Sequence, residues 1–435
     1  MGKKAILIFM KYPQTGRVKT RLSKTIGTKQ ACNIYKKLVR RTLGIVSDFK
    51  HTHTQIDLFL FYDPPESETQ IRKGYPGPWA FTPQIDGHLG EKMKNAFDHV
   101  FEKGYEHAVL IGSDIADIKT SDIEDAFRDL NRDQAVLGPA HDGGFYLIGL
   151  SFVINEVFNF PDWSTPSVFE RTLHCLHDSL HKIRTLCKRH DIDEQNDLIY
   201  VNRNPLFQDK ISIIIPYLKG TQKTASLVDS LEAQLWPDDE IVLVKGVGSS
   251  DLGKNNISHH TRLVFAPKGR GNQLNHGAKA AQRNILWFLH IDTAPPPNFG
   301  YHIRKLTHIR GRTLGCFELR FDTSSFFLDV IYKWSNFRTK YLNLPYGDQG
   351  IFCTRDIFKK AGGFKKKFLM EDVDFVRNCK KMGKLLVIPQ PIYSSAQRYM
   401  TKGVLRASLQ NHFLMLLYYL GVSDKRLFQF YYKNF

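Results

Sequence analysis

Continuous apolar runs alternate with stretches of helical period through the first half of the chain. The runs Ala5–Met10, Ile56–Tyr62, Ala108–Ile111 and Ala135–Leu137 show no polar alternation, which predicts strands buried on both faces of a parallel sheet. Between them, Lys29–Asp48, Leu89–Lys103, Thr120–Asn131 and Ser167–His177 carry helical spacing. Strands separated by helices argue βαβ units. Tyr75-Pro76-Gly77-Pro78 reads as a loop, and Arg203-Asn204-Pro205 as a linker.

The pattern then restarts. Ile211–Pro216, Glu240–Val244 and Arg262–Ala266 predict strands, Lys223–Gln234 and Gln273–Arg283 helices. A further run, Ile285 to Ile291, ends at Asp292, as Val109-Leu110-Ile111-Gly112-Ser113 ends at Asp114. Ligands of open α/β sheets bind beyond the carboxyl ends of strands, and a carboxylate there can hold a hard cation against a diphosphate. Taken alone, Asp292 also reads as the cap of a turn. The final forty residues carry apolar side chains at Leu405, Leu409, Phe413, Leu416 and Leu417, the spacing of an amphipathic helix expected to pack as a cover.

Length predicts two or three domains: residues 1–203, a linker at 204–210, and 211–435. Apolar content of 42% and charged content of 24% place the chain among soluble globular proteins. Residues 1–209 hold 27 basic and 27 acidic side chains, whereas 210–435 hold 34 and 16, so the net +18 belongs to the second half. Such a half attracts nucleotides, phosphorylated acceptors or anionic lipid, and peripheral contact with the inner face of a membrane is one expectation. Helix-turn-helix, zinc and RNA-binding motifs are absent, so no nucleic-acid partner is expected. The six cysteines form no CxxC pair, which fits a reducing cytosol. The apolar core of Met1 to Phe9 is too short for a signal peptide, Ile6 breaks the myristoylation pattern, and Phe413 to Val422 is about half a bilayer span.

The second half resembles the family 2 glycosyltransferases of GT-A fold, and within them the branch called transferase 2, rSAM/selenodomain-associated, or arsenosugar-biosynthesis glycosyltransferases. The likeness lies in Pro267 to Gln273, Phe288-Leu289-His290-Ile291-Asp292-Thr293, Leu319 to Asp322, Pro345 to Gly350, Gly362-Gly363-Phe364, Met370-Glu371-Asp372 and Arg398. It implies a metal-dependent inverting transferase with a nucleotide-sugar donor and a small-molecule or lipid-related acceptor. Asp292 would stand in the DxD-type motif and hold Mg²⁺ or Mn²⁺. Asp372, beside Glu371, would be the general base, Asp348 and Gln349 would line the acceptor side, and Arg398 and Asp251 would serve the donor phosphates. Two positions depart from the family: Lys245 replaces the aspartate that reads uracil, and Leu218-Lys219-Gly220 replaces an Asn-Glu pair, which leaves the donor base open.

In the first half, a glycine with three cations, Gly16-Arg17-Val18-Lys19-Thr20-Arg21, follows the first strand, a composition suited to polyphosphate. With Asp86 to Met93, Ile111 to Asp117, Leu137 to Tyr146, Trp163 to Pro166 and Asp191-Ile192-Asp193, it resembles transferase 1, rSAM/selenodomain-associated, a relative of nucleotidyltransferases. The resemblance implies that Arg17, Lys19 and Arg21 grip phosphates, that Asp114 holds metal with Asp117 and Asp142 as further ligands, and that a nucleoside triphosphate is a second substrate. The expectation is thus two tandem GT-A-like α/β domains in a cytoplasmic enzyme, one divalent ion per active domain. The alternatives are a nucleotidyltransferase whose second domain only binds, and a non-catalytic nucleotide-sugar-binding protein.

Overall fold

The computed structural model describes residues 2–130, 134–160, 163, 165–179, 182–218, 222–248, 258–310 and 314–433. It divides into two compact units, Met1–Gln208 and Asp209–Phe435.

In the first unit, strands β1 (Lys3–Lys11), β2 (Ile56–Asp63), β3 (Trp79–Pro83), β4 (Tyr105–Gly112), β5 (Gln134–Pro139), β6 (Phe145–Leu150) and β7 (Lys182–Thr185) form one sheet. Its order is β3-β2-β1-β4-β6-β5-β7, with β6 antiparallel to both neighbours and the other pairs parallel. Helices α1 (Thr20–Ile26), α2 (Thr28–Thr52), α3 (Glu68–Gly74), α4 (Leu89–Phe101), α5 (Thr120–Asp129), α6 (Val168–Ser179), α7 (Leu198–Arg203) and α8 (Pro205–Gln208) complete it. Ala5 to Met10 are all buried, as an unbroken apolar run requires of a strand covered on both faces. Ala5, Leu7 and Phe9 pack with Met93, Phe97 and Val100 of α4. The residues read as a linker form a helical turn, with Phe207 buried.

The second unit repeats the scheme. Its strands are β8 (Ile211–Tyr217), β9 (Glu240–Gly246), β10 (Thr261–Ala266), β11 (Ile285–Phe288), β12 (Thr293–Ala294), β13 (Leu314–Phe321), β14 (Phe352–Thr354) and β15 (Leu385–Ser394). They are ordered β10-β9-β8-β11-β14-β13-β15-β12. With β12 set aside as an added edge, both units share one order, the sixth strand antiparallel between the fourth and fifth. The helices are α9 (Gln222–Gln234), α10 (Arg270–Ala280), α11 (Phe299–Arg310), α12 (Phe326–Leu342), α13 (Arg355–Lys360), α14 (Glu371–Lys380), α15 (Gln397–Lys402), α16 (Val404–Tyr419) and α17 (Asp424–Lys433). One sheet face packs Ile211, Ile213 and Ile215 against Leu231, Phe299, Ile303 and Leu328. The other packs Ile214, Val242 and Val244 against Leu274, Ala278 and Phe375.

Gly277 sets how closely α10 sits on this sheet. A Cβ there would lie 2.5 Å from Ile214 Cγ2 and 2.8 Å from Val244 Cγ2, closer than side chains tolerate. The contact fixes α10 and so aims Arg270, its first residue. Beneath the sheet's other face, the Arg304 guanidinium is fully buried. It donates to Asp239 and, at 3.0 Å each, to the carbonyls of Asp209 and Gly300. Asp239 also accepts from the backbone N–H of Ile211 at 2.8 Å and Trp236 at 3.2 Å. This charged node ties α11 to the start of β8.

The spacing-based reading omits β3, β6, β7, β12, β13, β14 and β15. β14 is three residues long, and Pro389 and Pro391 interrupt β15 after the short apolar run Leu385–Ile388, so neither shows a long unbroken pattern. Helix α16 also turns out differently from the expected cover. Ala407, Gln410 and Leu414 are its buried residues, while Leu405, Leu409, Phe413 and Leu416 face outward.

Candidate functional site

Each unit gathers charged residues beyond the carboxyl ends of its first and fourth strands, where the strand order reverses.

In the first unit the loop after β1 turns into α1 at Lys19, whose φ of 49° is left-handed. A non-glycine residue held there costs about 1–3 kcal/mol, a strain found where a side chain must be aimed. Lys19 Nζ donates to Asp114 Oδ2 and Asp193 Oδ1, both at 2.8 Å. Burial disfavours this ammonium, but the two carboxylates outweigh it and its pKa is raised. Burial likewise pushes Asp114 up, and Lys19 more than reverses it, holding the carboxyl below its ordinary value. Asp142, Asp191 and Asp193 each place one oxygen within 4.8 Å of the others. Asp191 is pushed up to about 7, first by burial and then by Asp142, Asp193 and Asp114. Four acids thus face one lysine, an excess of negative charge that suits a hard divalent cation.

Of the other expected residues in this unit, Asp117 accepts from His190 N at 2.8 Å and pairs with His190 Nδ1 at 3.0 Å, steadying the approach to Asp191. Asp142 Oδ1 accepts from Gly144 N at 2.8 Å. Gly143 has φ 91°, and a Cβ there would overlap the Pro166 backbone, so only glycine suits. Arg21 is exposed and lies 3.9 Å from Asp193 Oδ2. Arg17 lines a cavity of about 540 Å³ with Tyr12, Gln14, Thr15, Glu66 and Gln70, beyond the ends of β1 and β2. Asp193 and Asp191 belong to the site although spacing alone did not single them out. The signal was the alternation Asp191-Ile192-Asp193, which sends both carboxylates to one side of an extended segment.

In the second unit, Arg270 is the hub. It donates to His290 Nδ1 at 3.1 Å, and its Nε lies 3.3 Å from Glu371 Oε1. A guanidinium can only donate, so the His290 Nδ1 lone pair is engaged and Nε2 carries the proton. Burial and then Arg270 hold the His290 pKa well below its ordinary value, so the ring is neutral. Asp292 is about half exposed, its Oδ1 3.9 Å from His290 Nδ1. Gly347 lies against the pair: a Cβ there would be 2.6 Å from His290 Nε2 and 2.7 Å from Arg270. Gly347 N donates to Asp372 Oδ2 at 2.8 Å, and Val373 N donates to Asp372 Oδ1 at 2.8 Å. Glu371 is buried, and burial raises its pKa against the pull of Arg270. Met370, at φ 65°, turns the chain into α14 just before this acidic pair.

Asp348 Oδ1 is buried with no hydrogen-bond partner among the described residues. Burial pushes this carboxyl up to about 6, Arg338 opposing and Asp372 and Asp292 reinforcing. Since the folded value exceeds the unfolded one, the folded chain prefers the protonated acid, and ionisation above pH 6 is destabilising. Asp348→Asn is expected to raise Tm at pH 8, with the gain shrinking as pH falls through 6 toward 4. Thermal scans at three pH values check this; equal Tm values at pH 8 would show a well-solvated carboxylate.

Gln349 is fully buried and turned inward, accepting from Thr339 Oγ1 at 2.8 Å and donating to the Phe317 carbonyl at 3.1 Å. Arg398 donates to Tyr431 Oη and, at 3.3 Å each, to Gln410 and Asn411, so its guanidinium joins α15 to the last two helices. Lys245 Nζ lies 5.8 Å from the Phe265 ring centre. Asp251, Lys219 and Gly220 lie outside the described residues. Arg270 and Arg338, which organise the site, entered the sequence reading as part of a matching stretch or not at all, because arginines carry no periodic signal.

Residues 49–165 match the family model described as "Uncharacterized protein conserved in bacteria (DUF2064)". Residues 212–344 match "Glycosyl transferase family 2". No curated protein matches. Among solved structures, the chain is 34% identical to a protein from Desulfovibrio desulfuricans G20 described as a "putative nucleotide-diphospho-sugar transferase", over 47% of this chain and 87% of that one, with a TM-score of 0.42. It is 16% identical to the mannosyltransferase PcManGT of Pyrobaculum calidifontis, solved with GDP-Man and Mn²⁺, over 44% of this chain and 58% of that one, at a TM-score of 0.36. It is also 16% identical to S. aureus TarS 1–349, solved with UDP-GlcNAc, over 43% of this chain and 58% of that one, at a TM-score of 0.33. With every TM-score below 0.5, the placement rests on the sequence matches. The chain therefore joins a first unit that matches the DUF2064 family model to a second unit that matches glycosyl transferase family 2.

Proposed function

We propose that the second unit is an inverting, metal-assisted glycosyltransferase that moves a sugar from a nucleotide-sugar donor to a hydroxyl of a small-molecule or lipid-related acceptor. The observation that supports it most is the convergence of Asp372, Glu371, Asp348, His290 and Arg270 around the turn at Gly347. Asp372 takes the acceptor proton as the acceptor oxygen bonds to the anomeric carbon. The carbon–phosphate-oxygen bond breaks on the opposite side, and the nucleoside diphosphate leaves with the electron pair. Backbone N–H groups of Gly347 and Val373 hold Asp372 in line for that transfer. Asp292 fits a single carboxylate ligand, as Mg²⁺ needs only one or two beside water and phosphate oxygens. A bound Mg²⁺ or Mn²⁺ would neutralise the leaving diphosphate.

The first unit reads as a nucleotidyltransferase-like partner. Asp142, Asp191 and Asp193 would hold its cation, with Lys19 and Asp114 beside them and Arg17 and Arg21 toward phosphates. Removing one of the mutually repelling acids has two opposite consequences here. Asp191→Asn is expected to raise the ion-free Tm while weakening Mn²⁺ binding about tenfold or more, a coupling that calorimetry and thermal scans read separately. Unchanged Mn²⁺ affinity would remove the cation from this trio.

The deciding experiment is turnover across a panel of nucleotide sugars and nucleoside triphosphates with Mg²⁺ or Mn²⁺. Nucleotide-sugar turnover lost in Asp292→Ala supports the transferase and names its donor. Turnover of a triphosphate abolished only by Asp114→Ala moves the chemistry to the first unit.

A further inference from the structure

Helix α12 turns one side into the fold and an apolar side outward. Leu328, Ser335 and Thr339 are buried, while Phe326, Val330, Trp334, Phe337 and Tyr341 are exposed, Phe326 by 76% and Trp334 by 45%. Their spacing of four, four, three and four residues places them on one outward stripe about 22 Å long. Helix α16 repeats the spacing with Leu405, Leu409, Phe413 and Leu416, continued by Leu420 at its C-terminal cap, Leu409 being 70% exposed. The two stripes adjoin, the Trp334 and His412 rings lying 6.4 Å apart. Exposed Lys333 and Lys340 flank the α12 stripe, exposed Arg406 stands on α16, and α16 contains no acidic residue. The face also borders the candidate site, since Arg338 of α12 lies 3.5 Å from the centre of the Tyr346 ring, two residues before Asp348.

We propose that the joined faces of α12 and α16 dock on the surface of an anionic lipid bilayer. Contiguous exposed apolar area of this extent marks an interaction surface. Charge selects its occupant: residues 210–435 carry the whole excess of +18, which an anionic headgroup layer complements. A second copy would bring the same excess against it. No helix among the described residues is long and apolar enough to cross a membrane, so the contact lies in the plane of the interface, with aromatic side chains inserted and lysines at headgroup level. The docking does not depend on the transfer chemistry.

The test is co-sedimentation of the full chain with vesicles of equal parts phosphatidylcholine and phosphatidylglycerol, beside vesicles of phosphatidylcholine alone. Binding to the anionic vesicles is expected to exceed that to neutral ones about tenfold and to weaken with salt. The double variant Leu409→Glu, Phe413→Glu is expected to lose binding by a similar factor, while Phe152→Glu, an exposed site in the first unit, binds as wild type. Brominated lipid is expected to quench wild-type fluorescence, and Trp334→Phe to lose that quenching, which needs no disruptive variant. Absence of anionic vesicle binding, equal binding to neutral vesicles, or unchanged binding of the double variant would overturn the proposal. So would light scattering in which wild type is a dimer and the double variant a monomer, which would assign the face to a second copy.

Discussion

Asp372→Asn is expected to cut sugar transfer by about 10²–10⁴-fold, the span over which a positioned general base acts, with donor affinity unchanged. The substitution keeps volume and removes the capacity to take a proton. It also turns one oxygen that receives a backbone N–H, from Gly347 or Val373, into an amide that cannot. Losing one such bond costs about 1 kcal/mol, a small change beside the loss in rate. Donor binding by calorimetry separates the two effects. A variant that retained more than about a tenth of the wild-type rate would exclude Asp372 as the base. Asp348 would then be the nearest alternative, because its carboxyl near pH 6 is raised toward the working range of a base.

Asp239→Ala is expected to destabilise the second unit by about 3–5 kcal/mol, because it leaves the Arg304 charge buried with no counter-ion. Arg304 and Asp239 are each about 1% exposed. The substitution also strands the backbone N–H groups of Ile211 and Trp236. Chemical unfolding measures the loss. Asp239→Asn, which keeps hydrogen-bonding atoms, is expected to lose less. Arg304→Met with Asp239→Leu is expected to recover part of the stability, since desolvating an ion pair offsets much of its attraction. An Asp239→Ala variant as stable as wild type would show that water reaches the guanidinium.

Two tandem α/β units could be read from the chain because their central strands are buried on both faces, and such strands must be unbroken apolar runs. Ala5–Met10 and Ile211–Pro216 are of this kind, and Asp114 and Asp292 stand just past the fourth strand of each sheet because ligand-facing polarity begins where burial stops. The later strands of each sheet were not readable in this way. β15, interrupted by two prolines, pairs with β13 and β12 through tertiary context that no local pattern encodes.

Sequence by itself determined the central strands of each unit and the carboxylates beyond the fourth, since both follow from burial along one dimension. Only the tertiary structure decided which charges meet. Lys19 reaches Asp193 across 174 residues, Arg270 meets His290 and Glu371, and Asp117 turns to His190. It also decided that the spacing of Leu405, Leu409 and Phe413 faces outward. Helical period announces an apolar stripe but not its direction, because the neighbour that would cover it is a property of the fold.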